Sequence, residues 1–325
     1  MKRNAMYLLK AVLAAGIASI GLSATAQDYP NQPITFINPF NPGGSTDPVA
    51  RQFISQLKKE LGVDVILEHK PGGSGTIGAS TVLRSKPDGY TIGMVVKSIV
   101  SYQPLVNANL PFKTPDDYQS ITKLGDMPVT LLVRNDAPWK TFEEFVEAVR
   151  KNPGHIRASV SGIRTGPDLV AQEFNRIANV KLATIPFTGG GGEGLVALLG
   201  GRVEASLFPG SAGITGHIES GKLRMLAVFK KGPYEGFPDA RPVVDAGYDV
   251  SLPTAFYVIA PKGLPKNVLD KLSAASMKIV NSPEYARFAK ESGLVIEPKG
   301  PEEMAQEIRK DTETFRGLLE YLNKK

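Results

Sequence analysis

The chain has 325 residues, with 38 lysines and arginines against 32 aspartates and glutamates, a formal charge of +6, and no cysteine. The lack of cysteine in the sequence excludes disulfides, thiol catalysis, cysteine-ligated metals and attachment of a lipid through a cysteine. Because the basic residues are spread along the chain among acidic ones, the charge does not indicate nucleic-acid binding.

The first 26 residues have the pattern of a secretory leader. Two basic residues precede an apolar stretch at 11–22, and Ala24-Thr25-Ala26 ends the segment as a small-residue cleavage signal. The stretch is shorter than the roughly 20 apolar residues of a membrane-spanning helix, and no other segment of the sequence approaches that length. We therefore expect residues 1–26 to be a cleaved signal peptide and the mature protein to be soluble in the periplasm. Cleavage removes three basic residues and no acidic one, which lowers the formal charge from +6 to +3.

A strand predicted at 34–38 leads into the glycine-rich segment 39–47, and a helix predicted at 48–61 follows it. Two adjacent glycines let backbone N–H groups face outward at a helix N-terminus, where unpaired amides and the helix dipole favour an anion. No side chain of a catalytic type lies in the segment. The pattern therefore predicts recognition of a carboxylate or a similar group rather than catalysis.

Asp47 has two interpretations. It precedes Pro48, and an aspartate before a proline at the first helical position commonly caps the helix with its carboxylate. We favour capping over ligand contact for this residue. Ser45 and Thr46 are better ligand candidates, because a hydroxyl donates to a carboxylate beside the glycine amides, although both residue types also form ordinary turns.

The rest of the chain alternates strand-like and helix-like runs, which predicts parallel sheets with helices on their faces. The length also exceeds that of one hydrophobic core and predicts two domains. In the first unit we expect strands at 34–38, 63–68 and 90–96 and helices at 48–61 and 76–83. In the second unit we expect strands at 156–160, 183–187, 203–208 and 224–228 and helices at 167–177, 193–199 and 212–220.

Two apolar segments, 129–133 and 256–260, are interpreted as the strands by which the chain crosses from the first unit to the second and back. The boundaries that follow are 27–128 plus 256–325 for domain 1 and 129–255 for domain 2. Helical periodicity from Pro265 onward, and again at 304–322, predicts two helices that pack on domain 1.

Four strand-to-helix turns have the composition of binding loops, and they lie at 39–47, 71–78, 159–168 and 186–194. In open α/β sheets such turns cluster at the carboxyl ends of the strands, where ligands bind. Two of the turns come from each predicted domain. If the domains face each other, amides from both sides converge on one ligand and the cleft closes over it.

Several motifs resemble, in order, those of the Bug or TctC-like extracytoplasmic solute receptors of tripartite tricarboxylate transporters. PFNPGGSTD at 39–47 resembles the first ligand loop of that family, and EHKPGGSGTIG at 68–78 resembles its second motif. The series continues with KPDGYT at 86–91, LPF at 110–112, PFTG at 186–189, LLGGRV at 198–203 and GKLR at 221–224. The resemblance covers essentially the whole chain after the leader.

The resemblance implies an α/β, two-domain Venus-flytrap fold of the type II periplasmic-binding-protein kind, with two crossover strands. It also implies capture of a carboxylate-bearing solute, largely through backbone amides and bridging waters. The residues that we expect to bind this ligand are Phe40, Pro42, Gly43, Gly44, Ser45, Thr46, Asp47, Gly75, Thr76, Lys97, Ser98, Ser161, Arg164, Thr165, Asp168, Phe187, Thr188, Gly189, Gly190 and Gly191.

Two positions depart from the pattern of the family. Lys97 follows the third strand, where a small hydroxyl residue is common, and Asp168 ends the third loop, where a histidine is frequent. Our hypothesis is that Lys97 or Arg164 engages a second acidic group of the ligand, and that Asp168 orients that cation or a ligand amine. The alternative is that Lys97 and Arg164 are solvated or paired with Asp126, Asp168 or Glu193.

The enzymatic alternatives have weak support. The glycine run at 189–194 formally matches a dinucleotide fingerprint, but no acid follows about twenty residues later to hold a ribose. Ser74 lacks the final glycine of a nucleophile elbow. His69, His155 and His217 stand in unrelated segments without metal-ligand spacing, so we interpret them as structural.

The sequence therefore predicts a periplasmic solute-binding protein, not an enzyme, that captures an organic acid for a tripartite tricarboxylate-type transporter. Dicarboxylates, tricarboxylates, aromatic acids and acidic amino acids all offer a carboxylate to the first loop. The partners expected are this ligand and the permease subunits, with no nucleic acid, no cofactor and no metal, and a monomer is expected. A sensory protein that signals to a membrane kinase remains the alternative, because both functions use the same kind of binding.

Overall fold

The computed structural model describes residues 29–210, 213–235 and 237–323. The chain divides into two compact units, Met1–Asn31 and Gln32–Lys325, and every helix and strand described below belongs to the second. The signal peptide predicted at 1–26 lies outside the described residues. Among the residues that are described, no helix combines the length and the apolar character that crossing a membrane requires.

Strands are numbered along the described chain. They are β1 Ile34–Asn38, β2 Val65–His69, β3 Thr91–Val96, β4 Tyr118–Met127, β5 Val129–Arg134, β6 Arg157–Val160, β7 Ala183–Pro186, β8 Ala205–Pro209, β9 Leu223–Val228, β10 Arg241–Pro242 and β11 Thr254–Pro261. They form two sheets, one with the order β2-β1-β3-β11-β4 and one with the order β10-β9-β5-β8-β6-β7.

Helices are numbered in the same way. They are α1 Thr46–Leu61, α2 Thr76–Leu83, α3 Gln103–Val106, α4 Phe142–Lys151, α5 Gly166–Ala178, α6 Gly191–Leu199, α7 Thr215–Glu219, α8 Lys266–Val280, α9 Pro283–Ser292 and α10 Pro301–Asn323. A π-helical turn, Ser98–Tyr102, joins β3 to α3. We call the first sheet with the helices packed on it lobe 1, and the second sheet with its helices lobe 2.

Both sheets are mixed rather than purely parallel. In lobe 1, β1 pairs in parallel with β2 and β3, whereas β11 lies antiparallel between β3 and β4. In lobe 2, β6 pairs in parallel with β7 and β8, whereas β5 runs antiparallel to β8 and β9. The antiparallel strands are the two that adjoin the crossings between lobes. The expectation of parallel sheets therefore fails at these strands.

The predicted crossings are confirmed. Only Pro128 separates β4 of lobe 1 from β5 of lobe 2, and β11 returns the chain to lobe 1. The α/β fold with two crossover strands stands as predicted, while the domain boundaries 27–128 plus 256–325 and 129–255 stay a prediction. The sequence patterns do not predict β4, because Ser120, Thr122 and Lys123 make it look polar although all three are buried.

Amphipathic patterns explain how the helices pack. Val49, Phe53 and Leu57 form the buried stripe of α1, and the Phe53 ring lies 5.8 Å from the ring of Phe36 in β1. Lobe 2 has apolar clusters on both faces of its sheet. This burial fixes the helices against the sheets, so the loops between strands and helices are held at the strand ends.

Candidate functional site

Three helix N-termini converge on one cavity between the lobes. Helix α1 of lobe 1 and helices α5 and α6 of lobe 2 each begin at its wall. The lining residues are Phe40, Gly44, Ser45, Thr46, Val96, Ser161, Thr165, Gly166, Pro167, Gly191, Pro209 and Thr254. Each helix has at least nine residues, so each presents unpaired N–H groups and a partial positive charge at this end. The arrangement suits an anion.

The cavity wall carries hydroxyl groups but no charged side chain. Five of its residues carry hydroxyls, and among the described residues no Lys, Arg, His, Asp or Glu lines it. An anion there would be held by hydroxyls, amides and helix ends, because the wall offers it no cation. Phe40, Val96 and Pro209 supply apolar surface beside these groups.

The two lobes touch around this cavity. The backbone N of Asn41 donates to the Gly189 carbonyl at 2.8 Å, and its Nδ2 donates to Glu193 Oε1 at 3.0 Å. On another side, Ser74 Oγ donates to the Ile163 carbonyl at 2.8 Å. The space that remains is about 20 Å³, enough for one water-sized molecule. Any larger ligand therefore requires the lobes to separate before it can enter.

Seven of the predicted site residues line the cavity, namely Phe40, Gly44, Ser45, Thr46, Ser161, Thr165 and Gly191. Pro42, Gly43 and Phe187 instead line an open neighbouring pocket, together with Asn41, Glu193 and Arg202. Thr188 lines neither of these two spaces.

The amides of the fourth loop are largely used within the protein. Gly189 N donates to Glu193 Oε2 at 3.2 Å, and Gly190 N donates to the Phe187 carbonyl at 3.1 Å. The glycines also permit close contact, since a Cβ on Gly190 would lie 3.1 Å from Cβ of Phe40. Part of the glycine run therefore serves lobe contact rather than offering free amides.

Asp47 does not cap α1, and the capping interpretation is wrong. Ser45 holds the cap position and makes no side-chain cap hydrogen bond. Asp47 instead accepts from Arg51 Nε at 3.0 Å, and its Oδ1 lies 3.4 Å from His69 Nε2. His69 Nδ1 lies 2.7 Å from the Phe40 carbonyl, as a donor. The two side chains brace the first loop against β2, which agrees with a structural role for His69.

Lys97 and Asp168 have partners within the protein. Lys97 Nζ lies 3.1 Å from Asp311 Oδ2 on α10, so its partner is none of the three acids expected. Asp168 Oδ2 accepts from the backbone N of Arg164 at 2.7 Å and thereby closes the third loop, where Arg164 has φ +59°. None of the three lines the cavity, and their contact with a ligand stays a prediction.

Gly75, Thr76 and Ser98 are buried. Thr76 Oγ1 donates to the Gly73 carbonyl at 2.8 Å. A Cβ on Gly75, which has φ +91°, would lie 2.4 Å from Cδ1 of Ile99. Gly75 and Thr76 shape the second loop, Ser98 begins the π-helical turn after β3, and none of the three lines the cavity.

The sequence patterns miss Thr254, which lines the cavity from the first position of β11. The predicted crossover strand begins two residues later, and no local motif marks Thr254 as part of a site. Only the antiparallel pairing of β11 with β3 and β4 brings it beside the binding loops.

Two lobes joined by crossover strands, with helix N-termini around a central cavity, define a periplasmic binding protein. The structure is similar to the periplasmic binding protein BugD, with a TM-score of 0.85 and 29% identity over 90% of this chain and 98% of that chain. More narrowly, residues 49–323 match the tripartite tricarboxylate transporter family receptor, TctC. The chain belongs to this family.

Two further similarities are informative. A UPF0065 protein of Bordetella pertussis is 31% identical over 298 residues, which is 90% of each chain. MatC of Rhodopseudomonas palustris, solved with bound malate, has a TM-score of 0.81 and 24% identity over 88% of this chain and 98% of that one. The similarity to MatC shows that the two proteins share a fold.

Proposed function

We propose that the protein captures an organic acid in the periplasm and delivers it to the permease of a tripartite tricarboxylate transporter. The observation that carries the proposal is the convergence of α1, α5 and α6 on one uncharged, hydroxyl-lined cavity. The family supports it, and so does MatC, whose structure holds malate. The signal peptide predicted at 1–26 would supply the export that this function requires.

The two lobes contribute at different stages. A carboxylate first docks at the N-terminus of α1, beside Ser45 and Thr46. When the lobes close, the ends of α5 and α6 complete its hydrogen bonds. Only contacts made in the closed form bias the protein toward closure, so lobe 2 carries the closing free energy. Micromolar affinity corresponds to about 8 kcal/mol, which several charge-assisted hydrogen bonds supply after ordering costs.

We further propose that the protein is a receptor without enzymatic activity and acts as a monomer without metal or cofactor. In the described part of the chain, no group of three or more His, Cys, Asp or Glu residues is placed to hold a metal ion. The cavity wall offers neither a nucleophile next to a base nor a pair of carboxylates. Recognition is the chemistry that these residues support.

A thermal-shift screen tests the proposed function. Malate, adipate, citrate, benzoate and glutamate are added separately, with glucose and glycerol as uncharged controls. An acid present at a hundred times its dissociation constant should add about 2.7 kcal/mol to the free energy of unfolding. Binding of the neutral compounds together with failure of every acid would refute the proposal.

Calorimetry tests whether Lys97 or Arg164 binds the ligand. For Lys97→Ala and Arg164→Ala, a direct charged hydrogen bond predicts a loss of about 1.5 to 3 kcal/mol in binding free energy. A loss below about 0.5 kcal/mol for the acids that bind would reject direct contact. Because Lys97 pairs with Asp311, its engagement requires the ligand to share or displace that ion pair.

A further inference from the structure

The crossover strand β11 brings an unpaired hydroxyl to the cavity. Thr254 opens this strand, pairs with Met127 of β4, and lines the cavity wall. The residue is 5% exposed, and its Oγ1 has no hydrogen-bond partner among the described residues. A buried hydroxyl without a partner costs about 1 to 3 kcal/mol, so its presence at this position calls for a compensating role.

Thr46, which also lines the cavity, likewise has an unpaired hydroxyl. It is the first residue of α1, is also 5% exposed, and its Oγ1 likewise lacks a partner within the described chain. Two hydroxyls from lobe 2 differ, because Ser161 Oγ donates to Thr165 Oγ1 at 3.3 Å and Thr165 Oγ1 donates to the Gly162 carbonyl at 2.9 Å. Ser161 and Thr165 thus have hydrogen-bond partners within the protein, whereas Thr46 and Thr254 have none among the described residues.

Helix α5 approaches Thr254 closely at its first residue. A Cβ built on Gly166 would lie 2.8 Å from Thr254 Oγ1, so glycine at this position leaves the hydroxyl its space. The hydroxyl therefore lies where the N-terminus of a lobe 2 helix meets a crossover strand of lobe 1. A ligand group at this point contacts both the strand and the helix end.

We propose that Thr254, together with Thr46, donates a hydrogen bond to the carboxylate of the captured acid, which makes the crossover strand part of the specificity site. The inference rests on the proposed function and extends it. A carboxylate has about four acceptor positions and no donor, so it satisfies hydroxyl donors that a neutral wall leaves unpaired. The ligand class that follows is an acid whose charge is matched by hydroxyls and helix ends rather than by a cation.

The test compares Thr254→Val with a control at a similar site. Thr130 is fully buried on β5, the other strand beside a crossing, and its Oγ1 donates to the Phe208 carbonyl at 2.9 Å. Affinity for malate, adipate, citrate, benzoate and glutamate is measured by calorimetry, and the unfolding midpoint is measured without acid. Thr254→Ser keeps the hydroxyl and removes only the methyl group. It therefore distinguishes the effect of losing the hydroxyl from the effect of changing the shape of the side chain.

For each acid that binds the unmodified protein, Thr254→Val should lower the affinity by about tenfold to a hundredfold. Its unfolding midpoint should stay equal or rise, because an unpaired hydroxyl is replaced by a methyl group of similar size. Thr254→Ser should bind within about threefold of the unmodified protein. Thr130→Val should lower the unfolding midpoint and leave the affinity unchanged, because it breaks an internal hydrogen bond.

Three results would overturn the inference while leaving acid capture intact. They are unchanged affinity of Thr254→Val, an equal loss in Thr254→Ser, and a fall in the midpoint of Thr254→Val as large as that of Thr130→Val. If no acid binds the unmodified protein, the proposed function fails, and this inference fails with it.

Discussion

At Gly192 the backbone of lobe 2 lies close to the backbone of the first loop. A Cβ on this residue would lie 2.8 Å from the carbonyl carbon of Gly43 and 2.9 Å from the Pro42 carbonyl oxygen. Both atoms are backbone and belong to the first loop, so they cannot swing aside as a side chain would. Contact between the loops therefore depends on the missing side chain of Gly192.

Gly192→Ala should lower the affinity for the acids that bind by about tenfold or more, because the added methyl group keeps the lobes apart. Its free energy of unfolding should stay the same or rise by up to about 1 kcal/mol, since alanine favours the helix α6. Calorimetry measures the affinity, and small-angle X-ray scattering should show a larger radius of gyration in the presence of acid than for the unmodified protein. Gly216→Ala is the matched control, because a Cβ there has no atom within 4 Å. Equal affinity of the two variants would contradict the prediction.

At the scale of elements, a buried ionic cluster joins β4 and β11 to α10. Lys123 is 2% exposed and lies 3.0 Å from Glu297 and 2.9 Å from Glu307, while Tyr257 donates to Glu307 at 2.7 Å. Burial by itself would raise the pKa of Glu307, but hydrogen bonds from Lys299, Tyr257 and Lys123 outweigh it and lower the pKa to about 2. The cluster ties the C-terminal helix to the strands of the crossings.

At two other carboxyls near this cluster, the effect of burial outweighs the neighbouring cations. Burial raises the pKa of Asp126 and of Asp311 above the ordinary value, although Lys123 opposes the rise for the first and Lys97 for the second. The stability that these two groups contribute is present when they are protonated and is lost as they ionise. They therefore offset part of the pH dependence that Glu307 produces.

Glu307→Gln should destabilise the protein at pH 7 by about 3 kcal/mol, the free energy equivalent of the drop in pKa from 4.5 to about 2. A carboxyl whose pKa is lowered by folding stabilises the protein at pH values above the pKa of the unfolded chain. The difference in free energy of unfolding between the variant and the unmodified protein should therefore shrink as pH falls from 4.5 toward 2. Urea unfolding at pH 7, 5, 4 and 3 measures it. Asp270→Asn, which breaks the exposed pair with Lys266, should cost less than about 1 kcal/mol at pH 7. A difference for Glu307→Gln that does not depend on pH would refute the assignment.

At the scale of the whole molecule, lobe 1 is assembled from distant parts of the chain and lobe 2 from one stretch. Strand β11 lies between β3 and β4, so the lobe 1 sheet is complete only after lobe 2 has been passed. All six strands of the lobe 2 sheet fall within residues 129–253. The lobes should therefore differ in their ability to fold alone.

A fragment of residues 129–253 should fold and unfold cooperatively, whereas a fragment of residues 32–128 should not, because its sheet lacks the strand between β3 and β4. Circular dichroism during urea titration measures both. Adding residues 254–325 as a separate chain should restore structure to the 32–128 fragment. Cooperative unfolding of 32–128 alone would show that β11 is dispensable.

The elements that sequence patterns predict well are those with local signals. Strand β1, the first loop and α1 follow from an apolar run, paired glycines and a stripe at Val49, Phe53 and Leu57, and the structure shows them nearly as expected. Strand β4 escapes prediction because Lys123 is buried against Asp126 of the same strand and against Glu297 and Glu307, which come from the segment before α10 and from α10. Polar residues in a strand look exposed until their distant partners are known.

The candidate site divides in the same way. Loops 39–47, 159–168 and 186–194 are recognisable from glycine, hydroxyl and proline spacing, and residues from all three line the cavity. The partner of Lys97 and the role of Asp47 are not recognisable, because Asp311 and His69 lie far along the chain. An ion pair forms between charged groups that are close in the folded structure, and spacing along the sequence does not give the distance between them.

The sequence by itself determined the two α/β units, the crossings and the glycine-rich loops, because these depend on periodicity and on conformations that few residue types adopt. Its ordered motifs also carried the resemblance to the family. The tertiary structure decided which groups face the cavity. It placed Thr254 in the cavity wall and paired Lys97 with Asp311. It also placed part of the glycine run in contact with the other lobe. These outcomes arise from strand pairing and helix packing between segments far apart in the chain, where local propensity carries no information.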